Sequence, residues 1–186
     1  FDPMTKLELQ TGCMTGGDRM AIHGYAKHYA KHLKRYLDHP SPVVVECGIL
    51  TGVGLATWSK LFPNSRLFGL DIDLSHCEQN LPNLIGRGAF ERGVPELMVF
   101  DQFAPDLSQL VASLNGKTID IFVDDGNHSN ETILTTLSAV KHILSEDFCY
   151  FIEDNREVHR LLRREAGWSV FSYGELTVLE GKELES

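Results

Sequence analysis

Short apolar runs alternate with stretches of helical spacing along this chain of 186 residues, the rhythm of a parallel sheet with helices on both faces. Val43–Cys47 predicts a first strand and residues 52–61 the helix that follows it. Arg66–Asp71, residues 96–101, Ile119–Asp124 and residues 149–153 predict the second to fifth strands. Residues 106–114 and 131–144 carry apolar positions at helical spacing, and Ser129-Asn130 offers a cap for the second of these. Residues 168–173, Gly174 and residues 176–179 read as a closing hairpin. Ahead of the sheet, Ile22, Tyr25, Tyr29, Leu33 and Tyr36 fall on one stripe, which predicts a single amphipathic helix over 22–37. His28 and His32 sit four apart on it and could share a metal, but a solvated face is the commoner meaning of that pattern. The expected organisation is a lid loop and helix over 4–40, with Thr15-Gly16-Gly17-Asp18-Arg19 as the loop, and a sheet domain over 41–186. Phe1-Asp2-Pro3 ahead of Met4 reads as an added remnant.

The chemistry gathers where the strands end. The fourth runs into Asp124-Asp125-Gly126-Asn127-His128 and the fifth into Glu153-Asp154-Asn155. Ligands of open α/β sheets bind beyond the carboxyl ends of the strands, and carboxylates crowded there repel each other unless a cation offsets them. A hard divalent metal is therefore expected, with His128 beside it. Side chains alternate along an extended strand, so Asp124 is assigned to orienting a helix start or a cofactor rather than to the metal. Taken singly, each acid is more often an ordinary loop residue; taken together on two strand ends, they favour a site.

The first strand leads into Glu46-Cys47-Gly48-Ile49-Leu50-Thr51-Gly52-Val53-Gly54, where glycines allow close backbone approach to a ligand and free N–H groups can face it. The spacing is not the Gly-x-Gly-x-x-Gly of a dinucleotide site, and Glu46 would repel a pyrophosphate. An acidic strand end suits a cationic, amine-bearing cofactor such as S-adenosylmethionine. Asp71 at the next strand end can accept from ribose hydroxyls, and Asp101-Gln102 can address an adenine amino group. Glu46, Gly48, Thr51, Gly52, Asp71, Ile72, Asp101, Gln102 and Asp124 are the candidate cofactor-binding residues.

Composition narrows the partners. With 42% hydrophobic and 23% charged residues and no apolar run near twenty, the chain reads as a soluble domain without a membrane anchor. A formal charge of −9 argues against nucleic acid, whose binders need a basic surface. Four cysteines with no Cys-x-x-Cys, two of them inside apparent strands, point to a reducing, cytoplasmic setting.

Glu46-x-Gly48-x-x-x-Gly52 is similar to the first motif of the class I S-adenosylmethionine-dependent methyltransferases. Gly17-Asp18-Arg19 followed by His23-Gly24-Tyr25 and Tyr29, then Asp125-Gly126-Asn127-His128 and Glu153-Asp154, resembles their metal-dependent sugar O-methyltransferases of macrolide and enediyne biosynthesis. The resemblance implies a Rossmann-like, mostly parallel seven-stranded sheet with a C-terminal hairpin. It further implies Mg²⁺ held by Asp125, Glu153 and Asp154, His128 as base, Asp125 and His128 as the catalytic pair, and a hydroxyl of a deoxysugar such as rhamnose, free or in a glycan, as acceptor. Arg19 stands where that family usually has lysine, and the chain is much shorter than members with an added N-terminal domain. A homo-oligomer, or a place within a larger glycan-modifying polypeptide, would fit. Three rivals stand beside this expectation. A catechol-type methyltransferase would use Asp154-Asn155 but has lysine where His128 stands. A nicotinamide-dependent oxidoreductase would share Asp71, yet the glycine fingerprint and a Tyr-x-x-x-Lys pair are missing. A catalytically silent scaffold of the same fold is disfavoured by the intact acids and His128.

Overall fold

The computed structural model describes residues 17–162 and 167–181; the tripeptide 1–3, Cys13 and Thr15-Gly16 of the expected lid loop lie outside them. Strands β1 (Val43–Cys47), β2 (Arg66–Asp71), β3 (Glu96–Val99), β4 (Ile119–Asp124), β5 (Leu144–Ile152), β6 (Ser169–Tyr173) and β7 (Leu176–Glu180) form one open sheet. Its order is β3-β2-β1-β4-β5-β7-β6, with β7 antiparallel to both neighbours and every other pairing parallel. The helices are α1 (Gly17–Ala21), α2 (Ala26–Leu33), α3 (Val53–Leu61), α4 (Ser75–Gly86), α5 (Ser108–Leu114), α6 (Asn130–Val140) and α7 (Val158–Leu162). Two apolar cores cover the two faces: α2, α3 and α4 pack on one, α5, α6 and α7 on the other. This is the doubly wound sheet that the alternating pattern predicts. Among the described residues Cys47, Cys77 and Cys149 are free and buried, and no helix is long and apolar enough to cross a membrane.

Three local expectations are corrected. The single helix over 22–37 is instead α1, a turn, α2 and a short 3₁₀ turn at Lys34–Tyr36. Gly24 at φ +70° takes the chain out of helical geometry, which leaves Ile22 80% exposed while Tyr25, Tyr29, Leu33 and Tyr36 remain buried. Residues 17–19, expected as loop, are helical. The helix expected to run to 144 stops at Val140, and β5 begins at Leu144 rather than 149. Leu144 pairs with Ile119 and Cys149 with Ile121, so the intervening polar residues bulge out of the ladder and break the apolar pattern. Arg35 Nη2 donates to the Asp147 and Phe148 carbonyls at 2.7 and 2.8 Å, which also accept from the Tyr36 hydroxyl and the Gly181 amide.

His32 does not lie on a solvated face. It is buried beside Phe151, which it meets edge-on, and Phe171, with Nδ1 2.9 Å from Glu180 Oε1 and Nε2 2.9 Å from the Tyr173 hydroxyl. Lys31 Nζ donates to the same hydroxyl at 3.0 Å and the His28 ring stacks on Tyr173. This polar patch fastens α2 to the β6–β7 hairpin. Burial alone would raise Glu180, but His32, Arg35 and Lys31 outweigh it and hold the carboxyl below its usual range. A depressed folded-state pKa adds stability above the unfolded value, and that stability is lost as pH falls through the folded one. Glu180→Gln is therefore expected to cost about 1.5 kcal/mol at pH 7. In denaturant titrations the gap from wild type should close as pH drops below 4.5, the carboxyl's ordinary value. A gap that widens in acid would contradict the assignment.

The ends of β1 and β4 meet closely. Asp125 N donates to the Cys47 carbonyl at 2.8 Å, and Gly48 sits at φ +84°, where a Cβ would lie 2.1 Å from the Asp125 carbonyl oxygen. Gly48→Ala must displace backbone as well as strain φ, at a cost of about 3 kcal/mol. Thermal unfolding should show the midpoint fall by roughly 10 °C for a domain of this size; an unchanged midpoint would mean that the two turns part without cost.

Candidate active site

Strand alternation sorts the acids before any ligand is considered. Val44, Val123 and Phe151 all point into the core under α2 and α3. Two residues on in each chain, Glu46, Asp125 and Glu153 continue on that face. Asp124 points the other way. Three carboxyls on one buried face need a cation, and Arg19 of α1 supplies it: Nη2 lies 2.6 Å from Glu46 Oε1 and 2.7 Å from Asp125 Oδ2, and Nε lies 3.3 Å from Glu153 Oε1. Only 7% of the Arg19 side chain is exposed. Trp58 Nε1 donates to Glu46 at 2.9 Å, and the Tyr29 hydroxyl donates to Glu153. One guanidinium cannot offset three ionised groups out of water. Burial raises Glu46 and Asp125 above the usual carboxylate range against the pull of Arg19, and pushes Glu153 up to about 8. Burial would lower Arg19, yet Glu153 and Glu46 outweigh it and keep it charged.

A second constellation opens toward solvent. Asp125, His128 and Asp154 each place a ligand atom within 4.8 Å of the others. His128 and Asp154 are both non-glycine residues with left-handed backbone, at φ +62° and +54°, a conformation worth about 1–3 kcal/mol each that persists only when its surroundings enforce it. The enforcing groups are visible. Asn155 Nδ2 donates to the His128 carbonyl at 2.9 Å while its Oδ1 accepts from the Glu157 and Val158 amides, and the Tyr25 hydroxyl donates to Asp154 Oδ1 at 2.7 Å. His128 Nδ1 is buried and finds no hydrogen-bond partner among the described residues. Oxygen donors from two strands beside an imidazole with an unpartnered nitrogen fit a hard divalent cation. Among the described residues there are two further groups of this kind: His23, Asp154 and Glu175 at the rim, and His32, Cys149 and Glu180 under α2. Glu153 belongs to none of the three.

These residues border a cavity of about 480 Å³ that runs from Gly48 and Asp71 to Asp125, His128 and Asp154. Gly48, Asp71, Ile72, Asp101 and Gln102 line it, along with Asp18, Leu50 and Phe103. Glu46, Thr51, Gly52 and Asp124 do not. Glu46 is engaged by Arg19 and Trp58, as above. Thr51 lends its carbonyl to Asn80 Nδ2 at 2.8 Å, and Gly52 at φ +78° opens α3 against Cys77. Asp124 accepts from Gln102 Nε2 at 2.8 Å and the Tyr150 hydroxyl at 3.0 Å, and burial lifts its pKa to about 6 in spite of both bonds. Gln102 Oε1 in turn accepts from Asn127 N at 2.7 Å, so Asp124 and Gln102 knot the turn that carries Asp125 and His128. The amides of Ile49 and Leu50, expected to face a ligand, donate to Asp71 Oδ2 at 2.9 and 3.1 Å. Sequence reasoning missed Arg19, Tyr29 and Asn155 as builders of the site. The shared parity of Glu46, Asp125 and Glu153 is the signal that calls for a buried cation.

No family model matches the chain. Demethylmacrocin O-methyltransferase of Streptomyces fradiae is 29% identical over 143 residues, covering 72% of this chain and 32% of that protein. The 8-demethyl-8-alpha-L-rhamnosyl tetracenomycin-C 2'-O-methyltransferase of Streptomyces olivaceus is 28% identical over 148 residues, covering 75% and 35%. The chain thus spans about a third of the length of the curated relatives it matches. Among solved structures, the MycE methyltransferase from the mycinamycin biosynthetic pathway, in complex with Mg and SAH, superposes with a TM-score of 0.69 at 21% identity, over 97% of this chain and 56% of that one. The chain has the Rossmann-like fold of the class I methyltransferases, and its sequence resembles the macrolide and tetracenomycin sugar O-methyltransferases.

Proposed function

We propose that this chain is an S-adenosylmethionine-dependent O-methyltransferase that uses Mg²⁺ and methylates a hydroxyl of a deoxysugar such as rhamnose. The observation that carries this is the meeting of Asp125, His128 and Asp154 at one end of a cavity whose other end is the Gly48 turn and Asp71. The names of the relatives support the sugar acceptor, and the Mg and SAH of the MycE complex support the cofactors.

In this reading Asp71 and Asp101 at one end of the cavity and Asp125 at the other are the acids that would hold a cationic cofactor. Carboxylates favour a sulfonium cation and lose that attraction once it becomes a neutral thioether. His128 is placed to take the proton of an acceptor hydroxyl on a ring nitrogen, and S-adenosylmethionine, when bound, would supply the electrophilic methyl group and leave as a neutral thioether. The pinned left-handed turns at His128 and Asp154 hold those side chains at the cavity mouth without a search at the moment of reaction. Asp125 and Asp154, with His128 beside them, are the residues placed to hold a divalent cation, which when bound would supply a Lewis acid that makes a sugar hydroxyl easier to deprotonate. The catechol-type alternative loses support because both polar atoms of the Asn155 side chain are committed to the backbone and Asn130.

Calorimetric titration with S-adenosylhomocysteine, NADH and Mg²⁺ tests this. Binding of S-adenosylhomocysteine and Mg²⁺ is expected, with Mg²⁺ binding lost in Asp125→Ala. In an assay with rhamnosides, His128→Ala should slow methyl transfer by about 10²–10⁴-fold while leaving S-adenosylhomocysteine affinity intact. Capture of NADH without S-adenosylhomocysteine would move the chain to the oxidoreductases, and capture of neither would leave a scaffold.

A further inference from the structure

Arg19 divides the acids at the strand ends into two sets. Its Nη2 bridges Glu46 and one oxygen of Asp125, and its Nε faces Glu153. Glu153 Oε1 also receives the Tyr29 hydroxyl, and the carboxyl is buried under α2 beside Phe151, on which the Tyr29 ring stacks at 4.1 Å. Asp154, the next residue, turns outward through a left-handed backbone and joins His128 and Asp125. The guanidinium is buried, packs 5.5 Å from the centre of the Trp58 ring, and keeps Nη1 without a partner among the described residues, so it has few alternative places to sit.

We propose that Arg19 is a positioning residue that acts as a resident cation: it withholds Glu153 from any added divalent cation, which is then held by Asp125 and Asp154 beside His128. This rests on the cation site proposed above and departs from the ligand set of Asp125, Glu153 and Asp154 that the family resemblance implies. The physical ground is competition for charge. A guanidinium within hydrogen-bond reach of a carboxylate competes with a divalent ion for the same oxygens, and two cations so close repel each other. A cation placed among Asp125, Asp154 and His128 keeps one acid, Asp125, in common with Arg19 and leaves Glu153 wholly to it. The site then faces the cation with two carboxylates in place of three, which weakens the hold and favours exchange. Asp125, shared between both cations, is the residue through which Arg19 sets that hold.

The test counts bound Mn²⁺ by electron paramagnetic resonance, with no substrate or cofactor present, in wild type, Glu153→Gln, Asp154→Asn, Arg19→Met and the Arg19→Met/Glu153→Gln pair. Glu153→Gln, which leaves Arg19 in place, should change the dissociation constant by less than about twofold, whereas Asp154→Asn should weaken it by about tenfold or more. Arg19→Met should free Glu153 and tighten Mn²⁺ binding by about tenfold, and adding Glu153→Gln should cancel that gain. A purely structural Arg19 would yield no such non-additive pair. If Glu153→Gln weakens binding as much as Asp154→Asn, Glu153 is a ligand and the proposal is overturned. Weaker binding in a folded Arg19→Met overturns it equally; should that variant lose its far-ultraviolet circular dichroism, Glu153→Gln against Asp154→Asn decides alone. Wild type that binds neither Mn²⁺ nor Mg²⁺ defeats the parent cation reading, a result distinct from either of these.

Discussion

Three carboxyl groups, from the ends of β1, β4 and β5, share one buried guanidinium. Taking an unpaired charge out of water costs several kcal/mol, so neither partner of such a cluster is stable in that position without the other. The acids hold α1 over the sheet ends, and α1 delivers the charge that lets the acids stay there. Trp58 and Tyr29 complete the arrangement, Trp58 by donating to the Glu46 oxygen that Arg19 leaves free and Tyr29 by donating to the Glu153 oxygen that faces Arg19. α2 carries Tyr29 and is itself bolted to the hairpin by His32, Tyr173 and Glu180, so the position of the N-terminal helices, the geometry of the acids and the seating of the last two strands are one mechanical problem.

The opposite face of the same strand ends solves a different one. Asp124 turns away from Arg19 and is tied to Gln102, Tyr150 and, through Gln102, to the Asn127 amide. Asn155 performs the matching task from β5. Adjacent residues thus divide the labour: Asp124 and Asn155 shape the turns, and Asp125, His128 and Asp154 are what the turns present. Backbone strain at His128 and Asp154 is sustained because those side-chain hydrogen bonds give the loops no relaxed alternative.

Much of this was legible in the chain. A parallel sheet writes itself as uninterrupted apolar runs, and the acids that end them mark the ligand edge, so Val43–Cys47, Arg66–Asp71 and Ile119–Asp124 are found at their predicted bounds. β5 was half hidden because a bulge inserts Ser145, Glu146 and Asp147 into its pattern. The aromatic stripe predicts too long an N-terminal helix because it continues through Gly24, whose left-handed φ is invisible to periodicity. At the site, residue types spoke for the edge but not for the pairings. Nothing local marks Arg19 as buried or His32 as internal, since each owes its place to residues more than a hundred positions away. The side chains of Glu46 and Asp124, at strand ends that point to the ligand edge, bond inside the protein because buried polar groups must find partners there.

Asp71 changes what it means for the glycine turn after β1 to be rich in left-handed residues. Gly48, Leu50 and Gly52 all have positive φ, and such a segment left to itself would sample many shapes. Asp71 Oδ2 fixes the Ile49 and Leu50 amides between them, so the turn loses that freedom when the chain folds rather than when something enters the cavity. Capture then requires little ordering of the turn. Its speed is set at the rim, where Leu50, Ile72 and Phe103 stand largely exposed, and its selectivity by a wall whose shape is already decided.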